Sequence, residues 1–142
     1  MSENVTNARS AMFHSRFAEL QGVSDFLEVF CAEQAAGREL CLRLNLVLEE
    51  LFVNTVRHGH GGGSDEPVWV TLDAAPEAVH VTYEDTGPPF NPYAHLPDKP
   101  PDTTLEMHKI GGLGLLLTKE LAQTRDYAYL FGRNRIRLAL KR

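Results

Sequence analysis

Six of the chain's eight prolines fall in one stretch, Thr86 to Ile110: Pro88, Pro89, Pro92, Pro97, Pro100 and Pro101. Proline has a fixed φ and no N–H to donate, so neither a helix interior nor a central strand passes easily through such a stretch. No hydrophobic periodicity runs through it either. The core must be built from the residues on either side. Aperiodic segments of this length inside a compact domain are commonly lids or binding loops, with a passive surface loop as the alternative.

The flanks are strongly patterned. Residues 1–9 are polar and read as frayed. Ala11 to Phe17 reads as a first strand with Phe13 and Phe17 on one face. Ser24 would cap a helix carrying Leu27, Phe30 and Cys31, and Gly37 would end it. Arg38 to about His58 predicts one long helix with Leu40, Leu44, Val47, Leu48, Leu51 and Val56 on its apolar face. Gly59 would stop it, and a loop with Gly61, Gly62, Gly63, Ser64 and Asp65 comes next. Val68, Val70 and Leu72, then Val79, Val81 and Tyr83, alternate with polar neighbours in the period of half-buried strands.

After the proline-rich stretch, Leu113, Leu116, Leu117 and Leu121 mark a helix. Tyr127–Phe131 and Arg135–Lys141 read as a closing hairpin around Gly132 and Asn134. Helices and strands sorted in this way predict an α/β fold: a two-layer sandwich, its mixed, mainly antiparallel sheet covered on one face by helices. At 142 residues, one domain spanning 1–142 is expected, ordered from about residue 10, with 86–110 as the lid.

Composition narrows the class. Hydrophobic residues make up 43% and charged residues 23%, enough for one sizeable core. A net charge of -5 argues against direct binding of nucleic acid through a broad basic surface. The apolar runs are interrupted by charges too soon for a membrane span. Cys31 and Cys41 both sit in helical patterns and read as buried free thiols rather than a disulfide or metal site. With no signal peptide, a cytoplasmic location is expected.

Three clusters could carry chemistry. On the long helix, Glu50, Asn54 and His58 recur every four residues beside Glu49 and share one face. An amide oxygen suits a hard cation that keeps most of its waters, and a carboxylate one turn away could activate a hydroxyl. A solvated polar stripe is the bland alternative. Asp85-Thr86-Gly87-Pro88-Pro89-Phe90 comes directly after a strand. Its carboxylate could accept a hydrogen bond from an exocyclic amino group while Gly87 lets a flat base come close, or the segment could be an ordinary turn. Gly111-Gly112-Leu113-Gly114 opens a helix. Its free N–H groups could surround phosphates, or it could be a hinge.

The order of these clusters is more specific than any one of them. Glu50-Leu51-Phe52-Val53-Asn54 with His58-Gly59, then Asp85-Thr86-Gly87-Pro88-Pro89-Phe90-Asn91-Pro92, then Gly111-Gly112-Leu113-Gly114, then Gly132-Arg133-Asn134-Arg135, resembles the GHKL superfamily of Bergerat-fold ATPases. The particular forms look like its anti-sigma-factor serine/threonine kinase branch, from about residue 10 to 142. The resemblance implies ATP and Mg2+ as cofactors, Asn54 as the magnesium ligand and Glu50 as the catalytic base. It implies Asp85 beside Gly87 as the adenine reader, and Gly112, Leu113 and Gly114 around the phosphates. Lys109, placed just before the glycines, could reach the γ-phosphate by its charge. Pro89 departs from the second glycine of many superfamily members, but occurs within this branch.

By the same resemblance the partners would be a sigma factor, a small antagonist protein phosphorylated on serine or threonine, and a second copy in a homodimer. A non-catalytic, ATP-dependent binding module is the alternative. A histidine-kinase ATP domain is a third reading, disfavoured because no helical segment with a phospho-acceptor histidine precedes the domain in this sequence. There is no Gly-x-x-x-x-Gly-Lys-Ser/Thr, so the loop at Gly61–Gly63 is not a P-loop. His58 and His60 lack the companions of a zinc site.

Overall fold

The computed structural model describes residues 7–94 and 113–142. Five strands form one open sheet: β1 (Ala8–His14), β2 (Pro67–Ala74), β3 (Ala78–Asp85), β4 (Thr124–Leu130) and β5 (Arg133–Lys141). Their order is β1-β2-β3-β5-β4, and all of these pairings are antiparallel rather than mixed. The described helices are α1 (Leu20–Glu33), α2 (Arg38–Asn54) and α3 (Leu113–Leu121), with α2 touching both of the others.

The register explains where a site can form. Val70, Tyr83 and Ile136 lie side by side across the sheet, as do Leu72, Val81 and Leu138, and then Ala74, Val79 and Leu140. These rows are buried against Leu44, Val47, Leu48, Leu51 and Phe52 of α2. Each fully buried side chain of this size contributes about 1.5–3 kcal/mol. The next row toward the other sheet end is Val68, Asp85 and Asn134. There the inward face turns polar.

Several local expectations are corrected. The first strand is Ala8–His14, and Phe17 lies in a short 3₁₀ turn, Phe17–Glu19, away from the Phe13 face. Phe13 instead packs edge-on to Phe26 and Phe52. Helix α1 starts at Leu20, one turn before Ser24, because Val23 extends its buried stripe. Ser24 Oγ donates to Asn45 Oδ1 of α2 (3.1 Å). The left-handed position after α1 is taken by Ala35 (φ 51), while Gly37 is extended and begins α2. The strand that ends the chain begins at Arg133, so Asn134 belongs to β5 and not to the turn.

The cysteines are not free. Cys31 near the end of α1 and Cys41 near the start of α2 form a disulfide, with Cα atoms 6.3 Å apart. The tight connection between the two helices brings their adjoining turns within the roughly 4.4–6.8 Å that a disulfide spans. Among the described residues, no helix is long and apolar enough to cross a membrane.

Candidate functional site

Helix α2 does not simply run on to His58. Its α register ends at Asn54, and Thr55–Gly59 forms a π turn. His60 N–H closes it on the Thr55 carbonyl (2.9 Å). The expected stripe therefore reaches Asn54 and stops, and His58 is exposed in the wider turn. A π turn at the end of a helix often marks a functional site, and its first side chain is the one to follow. Here that side chain is Thr55, which is buried.

Thr55 is the hinge of a polar network. Its Oγ1 lies 3.1 Å from the Leu51 carbonyl, 2.6 Å from Tyr83 Oη and 2.8 Å from Asp85 Oδ2. Tyr83 Oη also lies 3.1 Å from the Leu51 carbonyl, but its shorter contact is to Thr55, so Tyr83 donates to Thr55 while Thr55 donates to Asp85. Full burial holds the Tyr83 phenol well above its ordinary pKa, partly offset by its bond to Thr55, so it stays a neutral donor.

The other Asp85 oxygen is held from two sides. Gly87 N–H donates to Oδ1 (3.0 Å) and Asn134 Nδ2 donates to the same atom (2.9 Å). The Asn134 amide also donates toward the carbonyls of Gly87 and Pro88, both 3.0 Å away. Its oxygen accepts from Phe90 N–H (2.9 Å) and Tyr127 Oη (2.5 Å). A carboxylate has about four acceptor sites. Three are occupied, and the fourth, on Oδ2, is left for one N–H. This matches what reading an exocyclic amino group requires.

Gly87 has a further reason to be glycine. A Cβ there would come within 3.0 Å of Gly59 Cα and 3.2 Å of Gly59 O. The tight fit of the Asp85 loop against the π turn thus needs the missing side chain, in addition to any approach by a ligand. His60 Nε2 meets Thr86 Oγ1 (3.0 Å), and Thr86 donates to Glu66 (3.3 Å), which ties the glycine-rich loop to the same strand end. Tyr93 Oη bonds Thr118 Oγ1 of α3 (3.0 Å), anchoring the far end of the described loop.

The glycines after the loop are partly in view. Lys109 and Gly112 lie outside the described residues, as do residues 95–110 of the expected lid. Leu113 opens α3, and Gly114 is its second residue. The half-buried Glu50 carboxyl group lies directly against Gly114, where a Cβ would overlap it. Burial first, and the neighbouring Glu49 second, raise the Glu50 pKa above its ordinary value, with Arg57 opposing. The Asn54 amide, one turn along from Glu50, takes part in no hydrogen bond among the described residues.

The structure therefore joins Asp85 to Gly87, and Glu50 to Gly114, with α2 and its π turn connecting the two pairs. Sequence reasoning missed Thr55, Tyr83 and Asn134. Asn134 left two signals: it stands in the Gly132-Arg133-Asn134-Arg135 run that carries the resemblance, and it is in phase with Ile136, Leu138 and Leu140, a polar residue at an inward position.

The open antiparallel sheet with its helices is consistent with the two-layer sandwich of an ATPase domain. The chain matches the histidine kinase-like ATPase domain over residues 13–140, and it belongs to that family, within the GHKL superfamily. No curated protein matches the chain.

Proposed function

We propose that this domain is an ATP-dependent serine/threonine protein kinase that phosphorylates a small antagonist protein and, as an anti-sigma factor, sequesters a sigma factor when the antagonist is modified. The observation that carries this reading is the placement of Glu50. A carboxyl group with raised proton affinity stands at the first turn of α3, near the C-terminal end of α2, which leads directly into Thr55 and its bond to Asp85.

In this reading Asp85 Oδ2 accepts the adenine amino hydrogen, and the first N–H groups of α3 face the phosphates. Glu50 takes the proton of the acceptor hydroxyl as its oxygen bonds to the γ-phosphorus and ADP leaves. ATP supplies the phosphoryl group, and magnesium would neutralise its charge. Among the described residues no group of three or more His, Cys, Asp or Glu side chains gathers. Asn54 fits an ion held by one protein oxygen, nucleotide phosphates and water, which is how magnesium is usually bound.

The test is incubation of the protein with labelled ATP, magnesium and purified antagonist proteins, scored for phosphoserine and phosphothreonine. Transfer that disappears in Glu50→Ala, with ATP still bound, supports a kinase. Nucleotide-dependent partner binding without transfer would make it the non-catalytic module instead.

A further inference from the structure

We propose that Gly114 is a positioning residue, its lack of a side chain providing the seat in which the Glu50 carboxyl group rests. The geometry stands by itself, and its consequence for catalysis rests on the reading of Glu50 as the base.

Backbone conformation does not demand glycine here. The described glycines with left-handed φ are Gly61, Gly62, Gly63 and Gly132, and Gly114 is not among them. It lies inside α3, where glycine weakens a helix relative to alanine. What glycine supplies is space. A Cβ at 114 would overlap the carboxyl carbon and both oxygens of Glu50. At Gly61 and Gly62, by contrast, a Cβ would meet nothing.

The two elements that form this seat are fixed. Leu48, Leu51 and Phe52 bury α2, and Leu115, Leu116 and Thr118 bury the turn of α3 just after Gly114. Thr118 Oγ1 also donates to the Leu115 carbonyl (2.8 Å). A methyl group at 114 would therefore move the flexible end of Glu50 rather than either helix. The first turn of a helix favours a carboxylate through its unpaired N–H groups and dipole, but burial in the seat outweighs this and holds the Glu50 pKa above its ordinary value. One helix start would then orient the base and also face the phosphates, so that the grip on the nucleotide and the placement of the base are linked.

The experiment compares wild type, Gly114→Ala, Glu50→Asp and the double variant. Three quantities are read: the carbon-13 NMR titration of the residue 50 carboxyl group, ATP affinity by calorimetry, and kcat and KM for phosphoryl transfer. In Gly114→Ala the Glu50 titration should move down toward that of an exposed glutamate. Melting temperature should stay near wild type, and kcat is compared at saturating ATP, because Gly114 also stands among the phosphate-facing residues of α3. A positioned base contributes about 10²–10⁴-fold, so kcat should fall at least about tenfold with little change in KM. The shorter aspartate clears the methyl group, so the double variant should outpace Gly114→Ala alone, which a merely structural role would not produce.

An unchanged Glu50 titration in Gly114→Ala would overturn the seat, whether or not the protein transfers phosphate. A shifted titration in a protein that transfers no phosphate would support the seat and remove the kinase reading.

Discussion

Asn134→Ala would remove five hydrogen bonds at the end of the sheet, but they do not weigh equally. Phe90 and Pro88 are exposed and Tyr127 is half-exposed, so water can replace the amide at those three. The bond to the Asp85 carboxylate and the bond to the buried Gly87 carbonyl are the ones water replaces poorly. A charge-assisted bond contributes about 1.5–3 kcal/mol and a neutral one about 1 kcal/mol, so the loss should be about 2.5–4 kcal/mol. That is a large share of the roughly 5–15 kcal/mol that holds a domain together.

Urea unfolding would show it as a lower midpoint at unchanged slope. Asn134→Asp keeps the shape but sets a second carboxylate beside Asp85. Like charges at this distance raise the proton affinity of the pair, so this variant should be more stable near pH 5 than at pH 7. An Asn134→Ala protein within about 0.5 kcal/mol of wild type would mean that the polar row does not hold the Asp85 loop.

Glu50→Ala should bind ATP and transfer no phosphate. In the wild type the base acts only when ionised, so kcat should rise with pH through a value above the ordinary 4.5, as followed by initial rates across a buffer series. Gly87→Ala brings a methyl group against the Gly59 backbone at 3.0 Å, and overpacking of this kind costs about 1–3 kcal/mol by thermal unfolding. Because Gly114→Ala meets only a flexible carboxyl end, its stability loss should be the smaller of the two. Reducing the Cys31–Cys41 bond, with a sequence separation of 10, should lower stability. Loop-closure entropy puts the loss at about 2–3 kcal/mol, seen as a lower Tm in dithiothreitol that a Cys31→Ser/Cys41→Ser variant no longer shows.

The regular elements were legible because they repeat. Leu44, Val47, Leu48 and Leu51 announce α2 at helical spacing, and Val68, Val70 and Leu72 announce β2 at a spacing of two. The polar clusters at Glu50 and Asp85 were legible as candidates because their order along the chain resembles a known family.

The hidden features depend on distances between elements. Nothing local in Cys31 or Cys41 tells that the turn between α1 and α2 brings them together. The π turn at Thr55–Gly59 has a helical composition, so periodicity ran through it to His58. Asn134 beside Gly132 looked like turn chemistry, and its role emerges only from the register that pairs it with Asp85. Gly87 could be read as space for a base, but the Gly59 backbone that fills this space is brought there by the π turn.

The central claim is that Asp85, held by Thr55, Gly87 and Asn134, keeps one acceptor site for the amino group of adenine. The direct measurement is calorimetric affinity for ATP and for inosine triphosphate, which lacks that amino group, in wild type and in Asp85→Asn. Wild type should favour ATP by about 1.5–3 kcal/mol, the worth of one charge-assisted hydrogen bond, and Asp85→Asn should lose most of that preference. Equal affinity of the wild type for the two nucleotides would contradict the claim.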